Sequence, residues 1–131
     1  MVAYNFKRQF TDPIIAGTKR QTIRADRRRH ARGGGRLQLY TGMRTKYCQL
    51  IGTAWCLSAS PITIDFTAEY IVYLLGQGRV RVYRGGLDSF AKGDGFDDWA
   101  AMRAFWETTH SGRDVFNGWI IRWTEFSIPR G

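Results

Sequence analysis

A short basic segment near the N-terminus carries residue types that proton-transfer chemistry uses. Residues 17–24 read Gly-Thr-Lys-Arg-Gln-Thr-Ile-Arg. On an extended segment Thr22 and Arg24 share a face, and a bulge would bring Lys19 to that face. A lysine whose pKa is lowered by neighbouring cations can activate a hydroxyl such as that of Thr22, or a water. The segment therefore predicts a catalytic site or, alternatively, a plain basic edge strand.

A second polar cluster occupies residues 40–46, where a predicted strand gives way to a turn. It supplies the ring of Tyr40, the cations of Arg44 and Lys46, and two threonine hydroxyls. A ring for stacking, hydroxyls and cations together suit a nucleotide. The alternative is an exposed turn around an ordinary glycine.

Asp94 is the third candidate, a carboxylate on a loop before a helix. A proton-transfer site needs these distant groups around one cleft. We predict that the Lys19 ammonium lies within about 8 Å of the Thr22 hydroxyl and of the Asp94 carboxylate, because catalytic contacts are long in an unliganded site. We also predict that Lys19 is partly buried. Tyr40 and Lys46 should border the same cleft.

The elements that must position these groups follow from hydrophobic patterning. The pattern predicts strands at 2–10, 36–40, 47–58, 62–66 and 116–126, and a strand or an extended loop at 19–24. It also predicts a hairpin of 70–75 with 79–83, and helices at 13–16, 87–92 and 98–109. We expect Gly17 to end the first helix and Pro61 to end a strand or mark an edge. One face of the strand at 47–58 should carry Ile51, Thr53, Trp55 and Leu57. Residues 25–36 form a loop. Many short strands with one long helix near the C-terminus predict a single α+β domain over 1–131, with a small closed β-barrel.

The charge is concentrated in the N-terminal part of the chain. Residues 1–50 contain twelve Lys/Arg and two acidic residues, a net charge of +10, whereas residues 51–131 carry a net charge of −1. Sixteen of the twenty cations are arginines. Arginine matches phosphate oxygens and stacks on bases, and a one-sided basic field attracts polyanions. A solubilising surface is the alternative interpretation. The asymmetry favours a nucleic-acid partner.

Other function classes receive no support from the sequence. His30 and His110 lie in unlike contexts, and Cys48 and Cys56 form neither a C-x-x-C unit nor a disulfide framework. We therefore expect no metal and no cofactor. No run of 18 apolar residues exists, and the N-terminus lacks the apolar region of a signal peptide. We expect a soluble, cytoplasmic, monomeric protein with no membrane contact.

Several motifs in order along the chain resemble the ASCH family of the PUA-like superfamily. They are residues 16–17, 19–24, 35–40 and 41–46, Asp94-Gly95-Phe96 with Met102 and Phe105-Trp106, and the closing strand around 118–123. The stretch 40–46 is most similar to versions carried by bacteriophages and prophages. The resemblance implies a β-barrel surrounded by helices, with a basic cleft and a role near RNA or nucleotides.

The resemblance also implies two activities. One branch of the family hydrolyses the acetyl amide of acetylated cytidine with a lysine, a threonine and a glutamate; the motifs place these at Lys19, Thr22 and, as an aspartate, Asp94. Other members are regarded as ribonucleases, and Tyr40 and Lys46 would fit that metal-independent chemistry.

Three functions remain open at this stage. The first is binding of RNA or nucleotides, with DNA possible, through Arg20, Arg24, Arg44 and Lys46. The second is hydrolysis, either of the acylated nucleoside or of RNA. The third is a non-enzymatic phage accessory protein that binds nucleic acid or an acidic host protein.

Overall fold

A computed structural model of the chain describes residues 1–26, 30–110 and 114–129. Residues 27–29 of the predicted loop at 25–36 therefore lie outside the described residues. The strands are β1 (Val2–Phe6), β2 (Gln21–Arg24), β3 (Arg36–Thr41), β4 (Gln49–Asp65), β5 (Tyr70–Leu75), β6 (Gly78–Val82) and β7 (Val115–Ser127). The helices are α1 (Thr11–Ala16), preceded by a 3-10 turn at Arg8–Phe10, α2 (Leu87–Gly93) and α3 (Trp99–Thr109). Within the described ranges, no helix is long and apolar enough to cross a membrane.

The α+β class is confirmed, but the strands do not close into the predicted barrel. They form one seven-stranded sheet in the order β1-β3-β4-β5-β6, with β7 paired to β4 and β2 paired to β7. The β1–β3 pairing is parallel, and the other pairings are antiparallel. Where closure would need β1 to pair with β2, a side chain intervenes, since Arg24 Nη2 donates to the Asn5 carbonyl over 2.6 Å. This polar bridge takes the place of a strand ladder.

The long central strand β4 continues through Pro61, so this residue does not end the strand, but it does lie at an unpaired edge on one side. Pro61 is paired with Trp119 of β7. On the opposite edge of β4, the pairing with β3 ends at Trp55 and the pairing with β5 begins at Ile62. Pro61 therefore lies between two partners, where the lack of an N–H interrupts neither ladder.

The predicted face of β4 is also corrected. Ile51 is buried, whereas Trp55 and Leu57 are 41% and 54% exposed. The register with β3 shifts between Leu39 and Tyr40, whose partners are Gly52 and Leu50, so Ile51 is an extra residue. A bulge of this kind reverses the inside–outside alternation beyond it, which simple alternation could not anticipate.

The helical segments form where patterning and end signals predict them. Gly17 ends α1 in the left-handed conformation, at φ 83°. The Asp98 carboxylate caps α3 by accepting from Ala101 N over 2.8 Å, which satisfies one of the unpaired amides of the first turn. Trp99, Met102 and Trp106 project from α3 into the core, where all three are buried. The predicted hairpin is also present, with Leu75 opposite Gly78. Together these elements place α3 and the loop after α2 beside the ends of β1 and β2.

Candidate functional site

A cavity of about 320 Å³ lies between the ends of β1 and β2 and the packed face of α3. Its polar lining includes Asn5, Lys7, Lys19, Thr22, Arg24, Asp94, Thr109 and His110, and its apolar lining includes Phe6, Phe10, Ile23, Ala25, Phe96, Phe105, Trp106 and Phe116. Ligand pockets commonly pair mostly apolar walls with a few polar groups, at volumes of about 300–1,000 Å³. This cavity fits a ligand the size of a nucleoside.

Two loop ends bring Lys19 and Asp94 together across 75 residues of chain. The Lys19 amide donates to the carbonyl of Pro13 in α1 over 3.0 Å, so the helix end fixes its backbone. The Asp94 amide donates to the carbonyls of Phe90 and Ala91 at the end of α2. Lys19 Nζ then lies 3.7 Å from Asp94 Oδ1 and donates to the Asp94 carbonyl over 2.6 Å. The distance between the Lys19 ammonium and the Asp94 carboxylate is therefore within the limit of about 8 Å that was predicted from the sequence.

Burial perturbs both members of this pair. Lys19 is 3% and Asp94 5% exposed, so both are more deeply buried than the partial burial expected of Lys19. Loss of solvent lowers the pKa of Lys19 to about 8, although the Asp94 charge opposes the shift and Arg24 adds to it. Burial likewise raises the pKa of Asp94, against the pull of Lys19. A lysine with a pKa near neutrality is partly an uncharged amine, the form that can accept a proton.

Arg24 and Thr22 form a second polar unit on the cavity wall. Arg24 Nε donates to Thr22 Oγ1 over 2.9 Å. The Arg24 guanidinium also lies over the rings of Tyr4 and Phe6, at 5.3 and 4.9 Å from their centroids. The rings and the bond to Asn5 O fix the guanidinium, and Thr22 keeps its hydroxyl proton to donate. The arrangement places a fixed cation and a hydroxyl near the lysine.

Aromatic packing makes the cavity apolar around the charged pair. Phe10 contacts Phe96 and Phe105 edge-on, with centroids 5.3 and 5.5 Å away. The Lys19 ammonium lies 4.8 Å from the Phe10 centroid. These rings remove water from the amine and offer flat surfaces to a planar ligand.

Two predicted catalytic residues lie away from this cavity, which corrects the expectation that they border it. Tyr40 lies on β3 between the buried Leu39 and Thr41, so its side chain leaves the strand on the opposite face. Lys46 is exposed in the turn after β3, with its ammonium 5.2 Å from the Tyr47 centroid. Neither residue lines the cavity.

The predicted nucleic-acid-binding arginines are likewise distributed over different surfaces. Arg24 lines the cavity with Lys19. Arg44 is exposed in the turn that holds Lys46 and adopts a positive φ of 65°. Arg20 lines a different cavity, whose other walls come from the β5–β6 hairpin and α2.

Two residues of the site were not singled out from the sequence. Gln21 is buried and donates from Nε2 to Asp94 Oδ1 over 3.4 Å; its place inside the 19–24 motif was the available signal. His110 follows α3, stacks on Trp106 at 4.4 Å and lines the cavity. Nothing in the sequence around His110 indicated this, because only tertiary packing brings the helix end to β2.

Metal ligands do not converge in the described part of the chain, where no group of three His, Cys, Asp or Glu side chains could hold an ion. Cys48 is exposed and Cys56 is buried, and both are free thiols. The cavity brings together the Lys19 amine, the Asp94 carboxylate, the Thr22 hydroxyl, the Arg24 guanidinium and the His110 imidazole.

The fold and the site together define an α+β protein with a small aromatic cavity built on a buried lysine–aspartate pair. The chain matches no protein family, no curated protein and no solved structure.

Proposed function

We propose that the protein binds a nucleoside or nucleotide in this cavity and hydrolyses an acyl amide on the exocyclic amine of its base, as an ASCH-type, PUA-like domain would. The observation that carries the proposal is the buried contact between Lys19 and Asp94 inside an aromatic cavity. A perturbed, buried titratable pair in a cleft is the usual mark of proton-transfer chemistry. Aspartate is one methylene shorter than the family's glutamate, yet the 3.7 Å distance allows it to interact with the lysine.

In the proposed reaction the neutral Lys19 amine takes a proton from a water molecule. At the same time the oxygen of that water attacks the acyl carbonyl carbon. The Asp94 carboxylate stabilises the ammonium that forms, and the Arg24 guanidinium stabilises the oxyanion of the tetrahedral intermediate. Collapse breaks the carbon–nitrogen bond, and the Lys19 ammonium returns its proton to the leaving amine. Thr22 donates a hydrogen bond to the ligand. The products are a carboxylic acid and the free base amine.

Nucleic-acid binding is the second part of the proposal, and the surface around the cavity supports it. A groove of about 610 Å³ shares Asn5, Phe6 and Lys7 with the cavity, so the two are contiguous. Arg8 and the 65% exposed ring of Tyr47 complete this groove. Cations beside an exposed ring suit the phosphate and base of a neighbouring nucleotide. RNA is the partner that the family resemblance favours.

The test is product analysis with two substrates. Acetylated cytidine should release acetate and cytidine, with chelator present or absent. Labelled RNA, incubated separately with chelator, should remain intact, because the reaction proposed at Lys19 breaks an amide and not a phosphodiester. RNA cleavage that persists in the presence of chelator would contradict the proposed amidohydrolase activity and favour a metal-independent ribonuclease. If neither product forms at high protein concentration, the protein is not a hydrolase of these substrates, and non-enzymatic binding becomes the favoured function.

The pH dependence of hydrolysis should report the Lys19 amine. Because the neutral amine is the reactive form and its pKa is about 8, kcat/KM should rise with pH and level off above that value. The Asp94 charge raises the pKa of Lys19, so Asp94→Asn should move the rise to lower pH. A profile that does not shift in Asp94→Asn would contradict the assignment of Lys19 as the base.

A further inference from the structure

A second cavity, of about 490 Å³, lies on the other side of the segment that carries Lys19. Its walls come from the start of β2, the β5–β6 hairpin and α2. The lining residues used below are Arg20, Gln21, Tyr73, Arg81 and Tyr83. The first cavity does not share any of them. The cavity is therefore a separate candidate site.

Two arginines supply positive charge to this cavity. Arg20 and Arg81 are both exposed, and neither forms an ion pair with a carboxylate of the described residues. The backbone of Arg20 is fixed on both sides, because its amide donates to Gly93 O over 2.9 Å and its carbonyl accepts from Trp123 N over 3.1 Å. Arg81 is fixed by the β5–β6 ladder, opposite Val72. Two guanidinium groups on rigid backbone suit a phosphate group.

Aromatic rings line the same cavity as these cations. Tyr83 is 56% exposed at the end of β6, and its ring lies 6.5 Å from that of Tyr70. Tyr73 is half-buried and packs on Phe90, with ring centroids 6.0 Å apart. A large exposed ring next to unpaired arginines is the combination that stacks a base while a phosphate is held.

We propose that this second cavity binds one nucleotide unit of a single-stranded nucleic acid, with its phosphate between Arg20 and Arg81 and its base stacked on Tyr83. The proposal adds a separate site to the nucleic-acid binding proposed above, and it requires neither a reaction at Lys19 nor the groove beside Tyr47. Gln21 lies between the two sites, since it lines the second cavity and donates to Asp94 of the first. A strand held here lies next to the lysine–aspartate pair without entering it.

The deciding experiment compares two arginines of one strand. Arg79 and Arg81 are both exposed on β6, but Arg79 lines another cavity. Binding of labelled oligouridylate and oligothymidylate is measured by fluorescence anisotropy over a range of salt concentrations. Arg81→Ala should raise the Kd about ten-fold, as expected for a charge-assisted contact, and lower the salt slope by about one. Arg79→Ala removes the same charge and should change the Kd less than about two-fold.

The ring is tested in the same assay. Tyr83→Ala should raise the Kd about five-fold or more, whereas Tyr83→Phe, which keeps the ring, should bind as the parent protein does. Dependence on Arg81 and Tyr83 with RNA, DNA or both supports the proposal. Equal losses in Arg79→Ala and Arg81→Ala, or unchanged binding in Tyr83→Ala, overturn it.

The two proposals fail separately. Free acetylated cytidine has no phosphate, so Arg81→Ala should hydrolyse it as the parent protein does. If neither the parent protein nor any variant releases acetate, the proposed hydrolase activity is refuted. The comparison of Arg79→Ala with Arg81→Ala still tests whether the second cavity binds nucleic acid.

Discussion

Lys19→Met should lower kcat/KM for acetylated cytidine by about 10²- to 10⁴-fold, the range expected when a general base is removed. Methionine keeps an unbranched apolar stem against the rings of Phe6 and Phe10 but cannot accept a proton. Asp94 loses the charge of Lys19 in this variant, so its pKa should rise further, which favours the uncharged acid in the buried site. The fold should therefore survive. Acetate release and thermal unfolding are the measurements.

Lys46→Met is the matched control for this substitution. It makes the same chemical change at an exposed lysine outside the cavity, and should alter kcat/KM less than about two-fold. Activity within about ten-fold of the parent in Lys19→Met, with the fold intact, would remove Lys19 from the mechanism. An equal loss in Lys46→Met would restore the expectation that Lys46 acts in the reaction.

Gly95→Ala should lower the free energy of unfolding by about 2–4 kcal/mol, from left-handed backbone strain and overpacking together. Gly95 has φ +96°, and an added Cβ would lie 2.8 Å from Lys19 Cδ and 3.0 Å from Phe10 Cδ1. The Phe10 ring is packed against Phe96 and Phe105 and has little room to retreat. Denaturant unfolding measures the loss. Because the methyl group pushes on Lys19, hydrolysis should fall as well.

Gly85→Ala separates this effect from the general cost of replacing glycine. Gly85 has no positive φ, and an added Cβ there would meet no heavy atom within 4 Å. The free energy of unfolding of the Gly85→Ala variant should differ from that of the parent protein by less than about 1 kcal/mol. An increase is expected, because alanine restricts the unfolded chain. If Gly95→Ala were as stable as Gly85→Ala, the close packing around Lys19 would be refuted.

The positive charge of residues 1–50 is divided between several surfaces. The excess of basic residues in residues 1–50 was expected to serve one cleft. Instead, Lys7 and Arg24 line the aromatic cavity, Arg20 lines the second cavity, and Arg44 and Lys46 stand on a turn. Salt-dependent binding alone would therefore not locate the ligand, and the matched substitutions are needed.

Local signals in the sequence were sufficient for many elements. The positions of α1 and α3 follow from the glycine at residue 17, the aspartate at residue 98 and the helical spacing of Trp99, Met102 and Trp106. The β5–β6 hairpin follows from apolar runs around a glycine turn. These features depend on neighbours in the chain, so composition and spacing carry them.

Other features depend on partners far along the chain. Simple alternation placed Trp55 and Leu57 with Ile51 on one face, but the bulge against β3 reverses their orientation. Pro61 is tolerated inside β4 because of where β3 and β5 end, which the residues around Pro61 do not indicate. Closure of the barrel likewise depends on which strand edges meet, and β1 and β2 are joined by the Arg24 side chain at Asn5 and not by a strand pairing.

The sequence by itself determined the candidate chemistry, because residue type fixes which groups can carry protons or charge, and it identified Lys19, Thr22, Arg24 and Asp94. Only the tertiary structure decided which of them lie together. The ends of α1 and α2 bring Lys19 to Asp94 and bury both, and this burial gives the amine its lowered pKa. The same packing separates Tyr40, Lys46 and Arg20 from that cavity. Desolvation and convergence arise from contacts between distant segments, so no local pattern encodes them.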